Sequence, residues 1–340
     1  MARFVLARLS AICASVLLIP GCASLRQTKA DVVVREPGAR MLGAPEPAQP
    51  EASRDLEFAW LSEAAYGNTP AGQDEKKAAR DKLSGAASEA QGESCPEGFS
   101  QVQLGAAGWR VWPGFPSDGL LEKISKYHLR VEVWTRREPP AVAVAFGGTV
   151  FNNRNDWSAN LRWFLPKWFL ANHPDEYSET VQEFGPAFVT EYKDKAQRGG
   201  RDWEFLRRAT IYSTGHSLGG GLAQQFAYAL PIDSLVPRVS HVYAFDPSPV
   251  TGFYSVDPII RDANRQELYI DRIYERGEIL ALVRSLTSVI VQPSAKAPTI
   301  RGVRYSLFYP ASPVSGHSMS QLACKMLKAS RGETAAKVRN

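Results

Sequence analysis

The chain has 340 residues, of which 44% are hydrophobic and 22% are charged, and its formal net charge is +5. This length and composition indicate a soluble globular protein with one large domain or two modest ones. Basic and acidic residues are interspersed, as in D-E-K-K at residues 74–77, and form no stripe suited to nucleic acid. We therefore expect no nucleic-acid partner.

The N-terminus has the pattern of an export signal at residues 1–21. Arg3 and Arg8 form a basic start, and residues 9–19 form an apolar run that is too short to span a bilayer. Removal of these two arginines would lower the net charge from +5 to about +3. The run ends in L-I-P-G-C, which resembles a bacterial lipobox in which Cys22 becomes the lipidated N-terminus. An ordinary cleaved signal peptide is the alternative.

Lipidation of Cys22 predicts a lipid-anchored protein of the bacterial cell envelope, attached to a membrane through its N-terminus. The cysteine is followed by Ala23 and Ser24 rather than by an aspartate, which favours the outer membrane. No feature of the sequence identifies a protein partner.

The cysteine count predicts one disulfide. Of the four cysteines, Cys13 would leave with the signal and Cys22 would carry lipid. The remaining pair, Cys95 and Cys324, would lie in an oxidising compartment, where a disulfide between them is expected. Two buried free thiols are the alternative.

Composition divides the rest of the chain. Residues 22–55 are predicted to be a lipidated N-terminus and flexible linker, because residues 36–52 are rich in Pro, Ala and Glu and have no apolar period. Residues 56–330 are predicted to form the folded domain, which starts with apolar residues at helical spacing in 56–66. Residues 331–340 form a polar tail.

From about residue 127, short apolar strands alternate with helices. Strands are predicted at 129–135, 141–146, 209–213, 239–245, 268–274 and 303–309, and helices at 177–192 and 218–230. This alternation predicts an α/β fold with a mainly parallel sheet that is covered by helices on both faces.

The stretch G-H-S-L-G at residues 215–219 has the G-x-S-x-G form in which many serine hydrolases present a nucleophile. A predicted strand precedes it and a predicted helix follows it, which is the context that the motif requires. Ser217 would then be the nucleophile, and the backbone N–H of Leu218 at the helix start could face a developing oxyanion. A glycine-rich packing turn without chemistry is the alternative.

A serine nucleophile needs a base and an acid that orients the base. Of the five histidines, His317 follows the last strand, and in α/β-hydrolases the base comes last in the chain. His216 lies inside the elbow and would point away from its neighbour Ser217, so the sequence does not favour it as the base. Asp246 and Glu278 each follow a predicted strand at its carboxyl end, so both are candidates for the acid.

From residue 141 to about 327 the sequence resembles the class three, fungal-type lipases, a family with the α/β-hydrolase fold. The six-residue match G-H-S-L-G-G at 215–220 is highly specific, and F-G-G-T at 146–149, N-D-W at 155–157 and E-R-G-E-I-L at 275–280 follow the family's order. The stretch L-S-E-A-A-Y at 61–66 resembles the family's N-terminal helix. The sequence departs from the family's pattern at Gly147, where the family has an arginine, and at Glu278, where it has an aspartate.

The resemblance implies an oxyanion hole formed by Thr149 and Leu218, and it favours Glu278 as the acid. The pair Asp246-Pro247 resembles the acid position of pancreatic-type lipases, so both carboxylates remain candidates. The aromatic segment 157–170 would be either a lid over the substrate or core packing under a long loop.

Together, these features predict a serine-dependent ester hydrolase that acts on lipid-like acyl esters through an acyl-enzyme, and we expect no metal or other cofactor. The alternatives are a non-catalytic envelope lipoprotein that binds acyl chains, and an acyltransferase or thioesterase with the same triad.

Overall fold

The computed structural model describes residues 31–67, 95–96, 98–148, 176–278, 280, 294–307 and 315–333. The predicted signal, Cys22, Thr149, the aromatic segment 157–170 and most of the predicted tail lie outside the described residues.

Nine strands form one sheet. They are β1 (Asp31–Arg35), β2 (Glu46–Pro47), β3 (Arg110–Val111), β4 (Arg130–Arg136), β5 (Ala141–Gly147), β6 (Thr210–His216), β7 (Val239–Phe245), β8 (Tyr269–Glu275) and β9 (Thr299–Ser306). Their order across the sheet is β2-β1-β9-β8-β7-β6-β5-β4-β3.

Eight α-helices surround the sheet in the described part of the chain. They are α1 (Gln49–Ala64), α2 (Phe99–Ala106), α3 (Asp118–Ser125), α4 (Glu176–Glu179), α5 (Gly185–Arg198), α6 (Leu218–Ala229), α7 (Pro258–Asn264) and α8 (Met319–Ser330). The predicted helix at 177–192 is a composite, because one wider turn at Thr180–Phe184 separates α4 from α5.

The five central strands, β5 to β9, run parallel to one another, and the outer strands pair antiparallel at both edges. The prediction of a mainly parallel sheet is therefore confirmed for its centre. Because parallel strands end at the same edge, the residues that follow these five strands can meet there.

Strand β5 shows how the sheet separates two apolar cores. Val142, Val144 and Phe146 pack into the core beneath α5 and α6, whereas the intervening alanines pack into the core beneath α1 and α8. A strand that is covered on both faces loses the alternation of apolar and polar residues, which explains the continuous apolar run that this segment shows in the sequence.

The predicted linker at 22–55 differs from the structure from Asp31 onward. Asp31–Arg35 forms β1 and pairs antiparallel with β9, and α1 begins at Gln49 rather than near residue 56. The short V-V-V run supplies the apolar side chains of β1, while Pro50 occupies the first turn of the helix, where its missing N–H costs no hydrogen bond. A segment rich in Pro, Ala and Glu therefore contains the start of a helix rather than a flexible linker.

Cys95 and Cys324 form a disulfide with a Cα–Cα distance of 5.5 Å, which joins the segment before α2 to the middle of α8. Separately, none of the helices in the described ranges is both long enough and apolar enough to cross a membrane.

Candidate active site

Ser217 lies at the sharp turn between β6 and α6, at the carboxyl edge of the sheet. Its backbone has φ 58° and ψ −123°, a conformation that residues other than glycine rarely adopt. The turn is held on both sides, since Ser217 N donates to the carbonyl of Phe245 at 2.9 Å and Ser248 N donates to the carbonyl of Ser217 at 2.9 Å. The serine is thus fixed in a strained position, as in a nucleophile elbow.

Two glycines make this turn possible. A Cβ on Gly215 would collide with the backbone of Gly219, and a Cβ on Gly219 would collide with the carbonyl oxygen of Phe146. The close approach of β5, β6 and α6 therefore depends on both glycines. With a parallel central sheet, helices on both faces and this serine turn after β6, the architecture is complete. The fold is an α/β-hydrolase fold.

His317 is hydrogen-bonded to Glu278. Its Nδ1 lies 2.9 Å from Oε2 of Glu278, and both side chains are buried. Glu278 Oε2 also accepts a hydrogen bond from the backbone N–H of Leu280 at 2.8 Å, which fixes the carboxylate. His317 stands in a short turn just before α8, so the last helix sets the position of the ring.

Asp246 lies nearby but bonds to other groups. Its Oδ1 accepts from the backbone N–H of Glu275 at 3.1 Å, and its Oδ2 is 3.9 Å from Nε2 of His216. Asp246 is completely buried and has φ 39°, a left-handed backbone conformation. Of the two carboxylates that the sequence left open, the one hydrogen-bonded to His317 is Glu278.

His216 and Tyr66 are two site residues that the sequence analysis did not assign. The rings of His216 and His317 are 4.6 Å apart between centroids, and Nδ1 of His216 lies 2.7 Å from the hydroxyl of Tyr66. The His216 side chain therefore contacts both Tyr66 and His317. The L-S-E-A-A-Y match was the available signal for Tyr66, which stands just beyond the end of α1.

The oxyanion side of the site is described up to Gly148. A Cβ on Gly148 would collide with the Tyr66 hydroxyl and with the His216 carbonyl oxygen at 2.6 Å, and it would make a tight contact with Cβ of Ser217 at 3.3 Å. Burial raises the pKa of Tyr66 above its usual range, although a hydrogen bond from the backbone of Gly148 opposes this shift, so the hydroxyl stays neutral. Leu218 opens α6 beside the serine, while Thr149 lies outside the described residues.

The arrangement places a nucleophile candidate, a histidine and the carboxylate hydrogen-bonded to that histidine at the carboxyl ends of β6, β9 and β8.

Comparison with known proteins adds a resemblance in fold. No family model and no curated protein matches the sequence. The chain is similar to the solved Rhizomucor miehei lipase–propeptide complex, with 14% identity and a TM-score of 0.37 over 74% of this chain and 67% of that chain. A deletion mutant of that complex gives 16% identity and a TM-score of 0.37, over 73% and 63%. A fungal lipase–inhibitor complex gives 14% identity and a TM-score of 0.40, over 76% and 78%.

Proposed function

We propose that the protein is a serine-dependent carboxylic ester hydrolase of the lipase or esterase type, acting on esters with apolar acyl chains. The observation that carries this proposal is the 2.9 Å contact between His317 Nδ1 and Glu278, beside a serine held in a strained turn. A glutamate in this position fixes the tautomer of the histidine and stabilises the imidazolium that forms during reaction.

In the proposed reaction the Ser217 hydroxyl attacks the ester carbonyl while Nε2 of His317 takes its proton. The oxyanion that forms on the carbonyl oxygen is stabilised by backbone N–H groups, for which Leu218 and Thr149 are the candidates. The C–O bond then breaks, the alcohol leaves with the proton from His317, and water releases the acid from the acyl-enzyme by the same steps.

The proposed location is the bacterial cell envelope, with the protein anchored through lipid on Cys22. This proposal rests on the basic start, the short apolar run and the L-I-P-G-C stretch at residues 18–22. Metabolic labelling with a palmitate analogue tests it: wild type should be labelled, and a Cys22→Ala variant should not.

Hydrolysis of p-nitrophenyl esters with short and long acyl chains tests the activity. Ser217→Ala should lower kcat by about 10⁶-fold, because the nucleophile is lost. Equal rates in the two proteins would exclude a serine hydrolase and favour a protein that only binds acyl chains. Adding a thioester substrate and an alcohol acceptor to the same assay distinguishes the thioesterase and acyltransferase alternatives.

Two isosteric variants test the acid. Glu278→Gln should lower kcat by about 10³- to 10⁴-fold, because the amide can donate to Nδ1 of His317 and so favour the wrong tautomer. Asp246→Asn should cause a far smaller loss, since an amide oxygen can still accept from the Glu275 N–H. The reverse order of the two losses would assign the acid to Asp246.

A further inference from the structure

A buried carboxylate and a second histidine stand beside His317 without a role in the proposed proton transfer. His216, Asp246 and His317 each offer one ligand atom, and these three atoms lie within 4.8 Å of one another. The three residues are 3%, 0% and 7% exposed, respectively. Asp246 also holds a left-handed backbone conformation at φ 39°, and such strain is concentrated at functional positions.

Each histidine is oriented through its Nδ1 atom, as metal-binding histidines usually are. Nδ1 of His317 faces Glu278 at 2.9 Å, and Nδ1 of His216 faces the Tyr66 hydroxyl at 2.7 Å. Tyr66 can accept from the Nδ1–H of His216 while it donates to the backbone carbonyl of the same residue at 3.4 Å. In that arrangement Nε2 of both rings carries the lone pair, and outer partners of this kind strengthen metal binding.

The donor set selects the type of ion. Two imidazole nitrogens and one carboxylate oxygen match Zn²⁺, which binds such atoms at about 2.0–2.2 Å with tetrahedral geometry and accepts water as a fourth ligand. Ca²⁺ and Mg²⁺ prefer all-oxygen sites with six or more ligands. The separation of 3.9 Å between His216 Nε2 and Asp246 Oδ2 is longer than in a closed zinc site, so binding requires these side chains to move together.

We infer that His216, Asp246 and His317 form a Zn²⁺-binding site within the catalytic centre, and that zinc bound there reversibly blocks hydrolysis. Zinc occupies the lone pair of His317 Nε2, so the ring can no longer take the proton of Ser217. The zinc-binding part of this inference stands on the geometry alone, whereas the inhibition part rests on the proposed function.

Direct binding to an inactive protein tests the site. We would titrate ZnCl₂ by calorimetry into the full-length Ser217→Ala protein, purified in detergent without a histidine tag. One zinc per chain should bind, and adding His216→Gln or Asp246→Asn should weaken the affinity at least tenfold. His241→Gln is the matched control, because His241 also pairs with a carboxylate (Nε2 to Asp271 Oδ2, 3.1 Å) but at the start of β7. With His241→Gln added, the zinc affinity should stay within twofold of that of the Ser217→Ala protein.

Inhibition is measured separately on proteins that retain Ser217. Micromolar ZnCl₂ should abolish ester hydrolysis by wild type, EDTA should restore it, and millimolar MgCl₂ or CaCl₂ should have no effect. In the His216→Gln and Asp246→Asn variants, the zinc concentration that halves each variant's own metal-free rate should rise at least tenfold. Equal sensitivity in wild type and both variants would overturn this site as the place where zinc acts, and activity that persists in 1 mM ZnCl₂ would overturn the inhibition.

Failure of the site and failure of the function give different results. Zinc binding to Ser217→Ala with no ester hydrolysis by wild type would remove the proposed function and leave the site. Ester hydrolysis without zinc binding would support the proposed function and overturn the zinc site. Circular dichroism checks the folding of each variant. If both site variants fail to fold, X-ray absorption of zinc on Ser217→Ala decides, because fewer than two imidazole ligands would overturn the site.

Discussion

Gly148 is the residue at which the oxyanion side, the nucleophile and the Tyr66–His216 pair come closest together. Any Cβ there would stand 2.6 Å from the carbonyl oxygen of His216 and would collide with the Tyr66 hydroxyl. Neither group can move away easily, since His216 belongs to the central strand β6 and the Tyr66 hydroxyl is hydrogen-bonded to the His216 ring.

We therefore expect Gly148→Ala to lower kcat for ester hydrolysis by at least tenfold, because it displaces the backbone that precedes the oxyanion candidate. Gly119→Ala in α3 is the matched control, since nothing lies within 4 Å of a Cβ at that position. Stopped assays with p-nitrophenyl esters measure both variants. A rate for Gly148→Ala equal to that of Gly119→Ala would show that this backbone tolerates displacement.

The sequence could indicate a candidate site residue only where a local pattern marks its position. Ser217 lies in a five-residue motif and His317 follows the last strand, so both positions could be proposed from order alone. The choice between Glu278 and Asp246 depends on which carboxylate reaches the ring, and no local pattern encodes that distance. The Tyr66–His216 contact joins residues 150 positions apart, so it also required the structure.

At the scale of elements, α8 carries the histidine side of the site. The helix begins two residues after His317, packs against α1 in the same apolar core, and is joined through Cys324 to Cys95. The bridge closes a loop of 229 residues, and loops of this length gain the most from a covalent link in the chain-entropy description.

Replacing both cysteines by serine should lower the free energy of unfolding by about 2–5 kcal/mol. Urea unfolding followed by circular dichroism measures this, with the wild type in dithiothreitol as the comparison. The reductant should bring the wild type to the stability of the double variant and should leave the double variant unchanged. Identical midpoints for oxidised wild type and double variant would mean that packing alone holds α8.

The predicted elements agree best with the structure where strands are buried on both faces. The strand predicted at 239–245 has the same bounds as β7, and Asp246 marks its C-terminal end in the sequence. The sequence did not predict that α1 begins at Gln49, because a segment rich in Pro, Ala and Glu is also typical of a flexible linker. β1 gains its stability from pairing with β9, about 270 residues later, and a local pattern does not report such pairing.

At the scale of the whole molecule, a charged network joins α1 to strands β8 and β9. Asp55 of α1 is fully buried, accepts from Arg54 Nε at 3.0 Å, and accepts from the hydroxyl of Tyr305 at 2.9 Å. Asp271 of β8 is bound by Arg301, which also binds Glu51. The same helix that precedes Tyr66 is thus held against the sheet by ion pairs and hydrogen bonds around two buried aspartates.

This network predicts how stability depends on pH. Burial raises the pKa of Asp55 from 3.8 to about 7, with the charge of Asp271 adding to the shift and Arg54 opposing it. Because the folded protein holds this proton more tightly than the unfolded chain, the contribution of Asp55 to stability is largest below about pH 4 and falls as the pH rises to about 7.

Asp55→Asn removes this titration and keeps an acceptor for Tyr305. We therefore expect the free energy of unfolding of the wild type, measured relative to Asp55→Asn, to fall by at most about 4 kcal/mol between pH 4 and pH 8. Urea unfolding at each pH measures the difference, and Asp202→Asn, at an exposed aspartate paired with Arg137, controls for the loss of a negative charge. A constant difference between wild type and Asp55→Asn across this range would show that Asp55 keeps the same charge in the folded and unfolded protein, and that Arg54 fully compensates for its burial.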